Sequence, residues 1–168
     1  MNKKAKKSVL YLTRGAMVAA CYVVLTYVAN LFGLASGVIQ FRISEALCIL
    51  PIFLPEAIPG LFIGCFLSNM IVDFNIFDVV FGAVATLIGA IGARMLRNLP
   101  PKLLWVATIP TVLANMIIVP PVLIFAIGVD TAYPFLVLTV GIGEVVCAAI
   151  GGTILGYALK KAKIDTIC

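Results

Sequence analysis

The sequence predicts an all-α integral membrane protein: a bundle of six transmembrane helices with both termini on the cytoplasmic side. Three observations lead there. The 168-residue chain is 63% hydrophobic and only 11% charged, with a mean hydropathy of +1.19. That leaves too little polar surface to cover a water-soluble domain. Its apolar runs are far longer than the ~10 residues of a barrel strand and show no period-two alternation, so helices cross the bilayer. Its basic residues flank those runs.

The placement of charge explains the net charge of +5. Lys3, Lys4, Lys6, Lys7 and Arg14 precede the first apolar run. Arg94, Arg97 and Lys102 share one loop, and Lys160, Lys161 and Lys163 close the chain. This is the positive-inside pattern. No basic face remains for nucleic acid, which is not an expected partner; the expected surroundings are membrane lipid.

Residues 1–14 form a basic cytoplasmic tail, 15–159 a single membrane domain, and 160–168 a second basic tail. The first helix is placed at 15–34, long enough to span a core of ~30 Å. A cleaved signal peptide is the competing reading, since a basic start precedes the run and small residues follow it. Its apolar part exceeds the usual 7–15 residues, which favours a retained span. A polar stretch follows. The next apolar stretch, 46–72, holds three prolines and is either one span or two. Charge parity decides: the N-terminal tail and the Arg94–Lys102 loop belong on the same side, so an even number of crossings separates them. Two helices at 45–54 and 57–72, turning at Pro55-Glu56-Ala57-Ile58-Pro59-Gly60, satisfy this. The first is too short to cross unaided at 1.5 Å per residue. The remaining helices are placed at 77–96, 103–127 and 133–159.

Chemistry is restricted. Cys21, Cys48, Cys65, Cys147 and Cys168 have no metal or redox spacing, and the chain has no histidine; small packing residues are the expected role of the buried ones. No cofactor or metal is expected. There is no Gly-rich Lys-Ser/Thr phosphate loop, so the chain cannot drive itself with ATP. Ser44 lacks a histidine partner for hydrolase chemistry.

Polar residues inside the apolar runs are the candidate site. Glu144 shares a helical face with Cys147, Ala148, Gly151 and Leu155, small enough to face another helix. A carboxylate there costs ~2.5–3.5 kcal/mol even on the lenient insertion scale, which points to function. Asp78, Gly82, Ala85 and Gly89 form a similar face, with Asp78 either a site residue or a helix cap. Thr108, Thr111 and Asn115 make a polar stripe, for ligand or for interhelical hydrogen bonds. Arg42 and Glu45 stand three apart and either bind or pair with each other. Asn69 either binds or bonds a neighbouring backbone, and Gln40 either binds or is solvated. Trp105, Tyr133 and Tyr157 near span ends suit an interfacial belt. Tyr22 and Tyr27 suit core packing.

The run Ile39-Gln40-Phe41-Arg42-Ile43-Ser44-Glu45-Ala46-Leu47, the proline-rich turn from Pro51 to Cys65, the segment Asp78-Val79-Val80-Phe81-Gly82 and Gly143-Glu144 together resemble the QueT family. Its members are S components of energy-coupling-factor (ECF) transporters assigned to queuosine precursors. The resemblance covers nearly the whole chain. It implies a six-helix S component in a bacterial cell membrane. Such a protein captures substrate from outside and docks on a membrane T protein with two cytosolic ATPases. In this family the loop after the first helix closes over the substrate, where residues 40–45 fall. The family's Ala-x-x-x-Ala docking pattern is matched by Ala16 and Ala20, with Gly15 and Ala19 beside them. The implied substrate is a 7-deazaguanine such as the aminomethyl form, preQ1. A carboxylate suits the adjacent N–H donors of its guanine-like edge, and a second acid suits a cationic aminomethyl group. Glu144 is the expected partner of that edge, with Glu45 and Asp78 as further acids. Gln40, Asn69 or Asn115 would serve the carbonyl, and Phe41, Phe81 or Tyr133 would stack. An S component for another vitamin, a standalone carrier and a small intramembrane enzyme are the alternatives.

Overall fold

The computed structural model describes residues 3–34, 41–72, 74–126 and 128–162. It is all-helical, with no strand among the described residues. In order, α1 is Lys3–Leu31, a 3-10 helix covers Ile43–Ile52, α2 is Ala57–Val72 and α3 is Ile76–Met95. A 3-10 turn at Pro101–Thr108 leads into α4, Ile109–Phe125. Then α5, Tyr133–Glu144, runs through a π-helical segment, Val145–Gly151, into α6, Gly152–Lys161. Four helices, Ala5–Leu31, Ile76–Met95, Pro101–Phe125 and Tyr133–Lys161, are long and apolar enough to cross a membrane. Exposed large apolar side chains such as Leu31, Met95, Ile117 and Phe125 cover the outside. Together these features describe an integral membrane helical bundle, as the composition predicted.

Three elements differ from the sequence expectation. Helix α1 starts at Lys3, not at residue 15. Lys, Ala and Leu are strong helix formers, so the basic stretch continues the span. The second helix is a 3-10 helix of 10 residues with Pro51 inside it. Proline has no N–H to donate to an α-helical ladder. The last helix is broken by seven residues of π-helix immediately after Glu144.

Two ends of the bundle are fixed by polar contacts. At one, Arg14 Nη1 lies 3.2 Å from Glu56 Oε1. There too Arg94 Nη1 donates to the carbonyls of Pro51 and Ile52 at 3.0 and 3.1 Å. This end gathers the beginning of α2 and the ends of the 3-10 helix and α3. At the other, Asn75 caps α3 by accepting from the Phe77 N–H at 3.0 Å. Its amide also reaches the Ala126 carbonyl at the end of α4, at 3.2 Å.

The 3-10 helix is the hub. It touches α1, α2, α3, α6, the π segment and the Pro101–Thr108 turn. At ~2.0 Å rise per residue it reaches only about 20 Å, short of a ~30 Å hydrocarbon core. Its irregular backbone is tolerated because neighbouring helices enclose it. Small residues allow the approach. A Cβ on Gly64 of α2 would lie 2.8 Å from Tyr22 Cβ and 3.0 Å from the Ala19 carbonyl of α1. A Cβ on Gly156 would meet Leu104 at 2.7 Å and Ile49 of the 3-10 helix at 3.1 Å.

Candidate functional site

The start of the 3-10 helix lies in a polar interior. Among the described residues five charged ones are buried: Arg42, Glu45, Glu56, Asp78 and Glu144. Glu56 belongs to the basic end, where it pairs with Arg14. The other four form a cluster with one guanidinium and three carboxyl groups.

Arg42 leads into the 3-10 helix, and its Nη2 lies 3.3 Å from Asp78 Oδ2 in the first turn of α3. Asp78 is thus an ion-pair partner, and the cap of α3 is Asn75. Asn69 of α2 braces this pair by donating to the Asp78 backbone carbonyl at 3.1 Å. Gly82, one turn further along α3, leaves the space: a Cβ there would stand 2.7 Å from Asn69 Nδ2.

Glu45 is held differently. Its carboxylate accepts from the Tyr22 hydroxyl of α1. It also accepts from Cys48 Sγ at 3.0 Å and Thr86 Oγ1 of α3 at 3.4 Å. Next to it Thr26 Oγ1 donates to Ser44 Oγ at 2.8 Å, tying α1 to the 3-10 helix again. Tyr22, Cys48, Ser44 and Thr86 therefore take polar roles that the sequence reading assigned to packing or left out. The one sequence signal was Tyr22 and Thr26 at i, i+4 spacing, which sets both on the same buried face.

Glu144 has less support, from the Asn115 side chain. It is 6% exposed, and its Oε2 has no hydrogen-bond partner. It faces a closed cavity together with Arg42, Asn115, Val119 and Val140. The cavity is about 10 Å³, the space of a single water. Glu144 and Glu45 each experience the other's charge, and Arg42 offsets both. The π segment begins at the residue after Glu144; such insertions in a helix recur at functional sites.

Arg42, Asn115 and Glu144 are thus brought together around one space, with Asp78, Asn69 and Glu45 in the layer behind. Asn115 Nδ2 donates to the Thr111 carbonyl at 3.2 Å, and Thr108 Oγ1 to the Trp105 carbonyl at 2.7 Å. These bonds stay within their own helix, whereas the Asn115 side chain also hydrogen-bonds Glu144 of α5. The aromatic candidates are not gathered. Phe81 lines an apolar groove on the exterior with Phe77 and Phe125. Tyr133 is 45% exposed at the start of α5. Phe41 is half-buried, its N–H on the Leu34 carbonyl at 2.8 Å. Gln40 lies outside the described residues.

The small-residue stripe of α1 divides in two. Gly15 and Ala19 turn inward against Gly60 and Gly64 of α2. Ala16 and Ala20 are exposed and line an open apolar groove of about 630 Å³ with Ile63 and Leu67.

Comparison with known proteins adds the family. The QueT transporter family model matches residues 12–161. The chain is 30% identical over 168 residues to a protein of Lactococcus lactis subsp. cremoris (strain MG1363) named queuosine precursor transporter QueT. The alignment covers 95% of this chain and 99% of that protein. No solved structure matches.

Proposed function

The chain belongs to the QueT transporter family, and on that premise we propose that it is the substrate-binding S component of an ECF-type importer. Its substrate is a queuosine precursor, an aminomethyl 7-deazaguanine, which it binds and releases unchanged. The relative's name supplies the substrate class. The observation that carries the reading is the buried Glu144 carboxylate, unpartnered at Oε2 beside a cavity. An unsatisfied buried acceptor costs about 1–3 kcal/mol, and more when charged. A ligand that donates two parallel N–H groups removes that cost.

The remaining groups divide the ligand between them. Glu144 takes the guanine-like N–H edge. Arg42 and Asn115 donate to its carbonyl. The three carboxyl groups outnumber the single guanidinium, so an ammonium on the ligand reduces the excess of acid in a medium that screens poorly. Glu45 and Asp78 act from behind. Glu45 sets the 3-10 helix against α1 and α3, and Asp78 aims Arg42. A cavity the size of one water is the ligand-free, closed form, and loading requires the elements around it to part.

Energy comes from a T protein and two cytosolic ATPases, with the exposed Ala16 and Ala20 face as the docking surface. The basic end of the bundle faces the bacterial cytoplasm, with both termini there. Equilibrium binding of a deazaguanine panel to the purified chain in detergent, with thiamine and riboflavin as controls, tests the reading. One deazaguanine is expected to bind, and Glu144→Gln to weaken it by about 10- to 150-fold, the effect of a charge-assisted hydrogen bond. Unchanged affinity in Glu144→Gln would remove Glu144 from the site. Binding of a control vitamin instead would keep the architecture and overturn the substrate.

A further inference from the structure

A second polar recess lies at the opposite end of the bundle from the ligand cavity. It measures about 440 Å³ and forms where α3 and α6 end. Arg94, Arg97 and Lys160 line it, and none of its described lining residues is acidic. Arg94 is anchored, one of its terminal nitrogens serving the Pro51 and Ile52 carbonyls. Among the described residues no carboxylate pairs with Arg97 or Lys160. Among the described residues the acid at this end, Glu56, pairs with Arg14. Three cations thus converge on one concave space without compensation.

The rest of the lining is apolar, including Ile52, Leu99 and Leu104. The two larger grooves on the exterior have almost no polar wall, so this recess is the mixed one among them. Its position matters equally. It lies level with the ends of membrane helices, where lipid headgroups sit, and basic pockets between helices at that depth hold anionic headgroups.

We propose that this recess is a binding site for an anionic phospholipid. The phosphate sits between Arg97 and Lys160, and the first part of the acyl region lies along Ile52, Leu99 and Leu104. A free phosphate would use the cations and leave the apolar wall empty; a phospholipid uses both. Bound there, the lipid joins the ends of α3, α6 and the 3-10 helix, of which Arg94 ties α3 to the 3-10 helix.

Native mass spectrometry of the purified chain, titrated with phosphatidylglycerol or phosphatidylcholine, tests this. Wild type is expected to retain one phosphatidylglycerol at concentrations where phosphatidylcholine is lost. The double variant Arg97→Ala, Lys160→Ala is expected to bind it at least tenfold more weakly. Lys160→Gln, a milder change in the last turn of α6, is expected to weaken it several-fold and serves if the double variant does not fold. A hundredfold excess of inorganic phosphate is expected not to displace the lipid. Equal retention of phosphatidylglycerol by wild type and both variants would overturn the site. Displacement by phosphate alone would overturn the lipid and leave a simple anion site. Neither result depends on the deazaguanine site, which uses none of these residues.

Discussion

Glu45 and Glu144 are the same residue type buried in the same bundle, and their surroundings give them different work. Glu45 is satisfied by Tyr22, Cys48 and Thr86, and Glu144 Oε2 by none of the protein's own groups. Tyr22→Phe should therefore cost stability more than binding. Loss of a hydrogen bond to a buried carboxylate is worth about 1–3 kcal/mol, read as a lower thermal midpoint in detergent with ligand affinity reduced by less than in Glu144→Gln. An equal loss of affinity in both variants would place Glu45 in direct contact with ligand. The burial of Glu144 was legible in the sequence, because it shares a helical face with small residues that pack against other helices. The role of Tyr22 was not. Its partner is 23 positions away, and Thr86 is 41 from Glu45, separations that no local spacing rule spans.

At the scale of elements, hydropathy and charge parity reveal where helices run but not which helix type each adopts. A 3-10 stretch of 10 residues and a π stretch of seven are too short to imprint their own period on the apolar pattern. Pro51 marked the first, and no residue type marked the second. The π segment makes a sharp prediction. It accommodates one residue more than an α-helix of the same rise, so deleting the exposed Val146 should restore an α-helix. That turns Glu144 by about 100° relative to α6. Protein yield and melting should survive, and deazaguanine binding should be lost. Retained binding would show that the π segment does not aim Glu144. The α1–α2 contact gives a second test. Gly64→Ala sets a methyl group 2.8 Å from Tyr22 Cβ, and overpacking of this kind costs about 1–3 kcal/mol, measured as a drop in melting temperature.

For the whole molecule, the proposed docking surface can be tested apart from the packing of α1. Gly15 and Ala19 pack inside, whereas Ala16 and Ala20 face out. Ala16→Leu with Ala20→Leu should leave melting and ligand affinity unchanged. It should abolish copurification of a T protein and two ATPases with the chain. Unaltered copurification would move the docking surface elsewhere. That the protein is a helical membrane bundle followed from composition and the length of its apolar runs, since 11% charged residues cannot clothe a soluble surface and the runs exceed a barrel strand. The pairing of Arg42 with Asp78 did not follow, because it depends on how the 3-10 helix enters the bundle.

The single-water cavity also has a bearing on time. On the proposed reading, a bicyclic ligand cannot enter a space of about 10 Å³, so capture waits on an open form. Association should then fall well below the diffusional ceiling and saturate as ligand concentration rises, limited by the opening rate. The same barrier acts on escape, so a captured molecule has a long residence. On the proposed reading, the captured precursor stays bound through many encounters of the chain with other proteins in the bilayer.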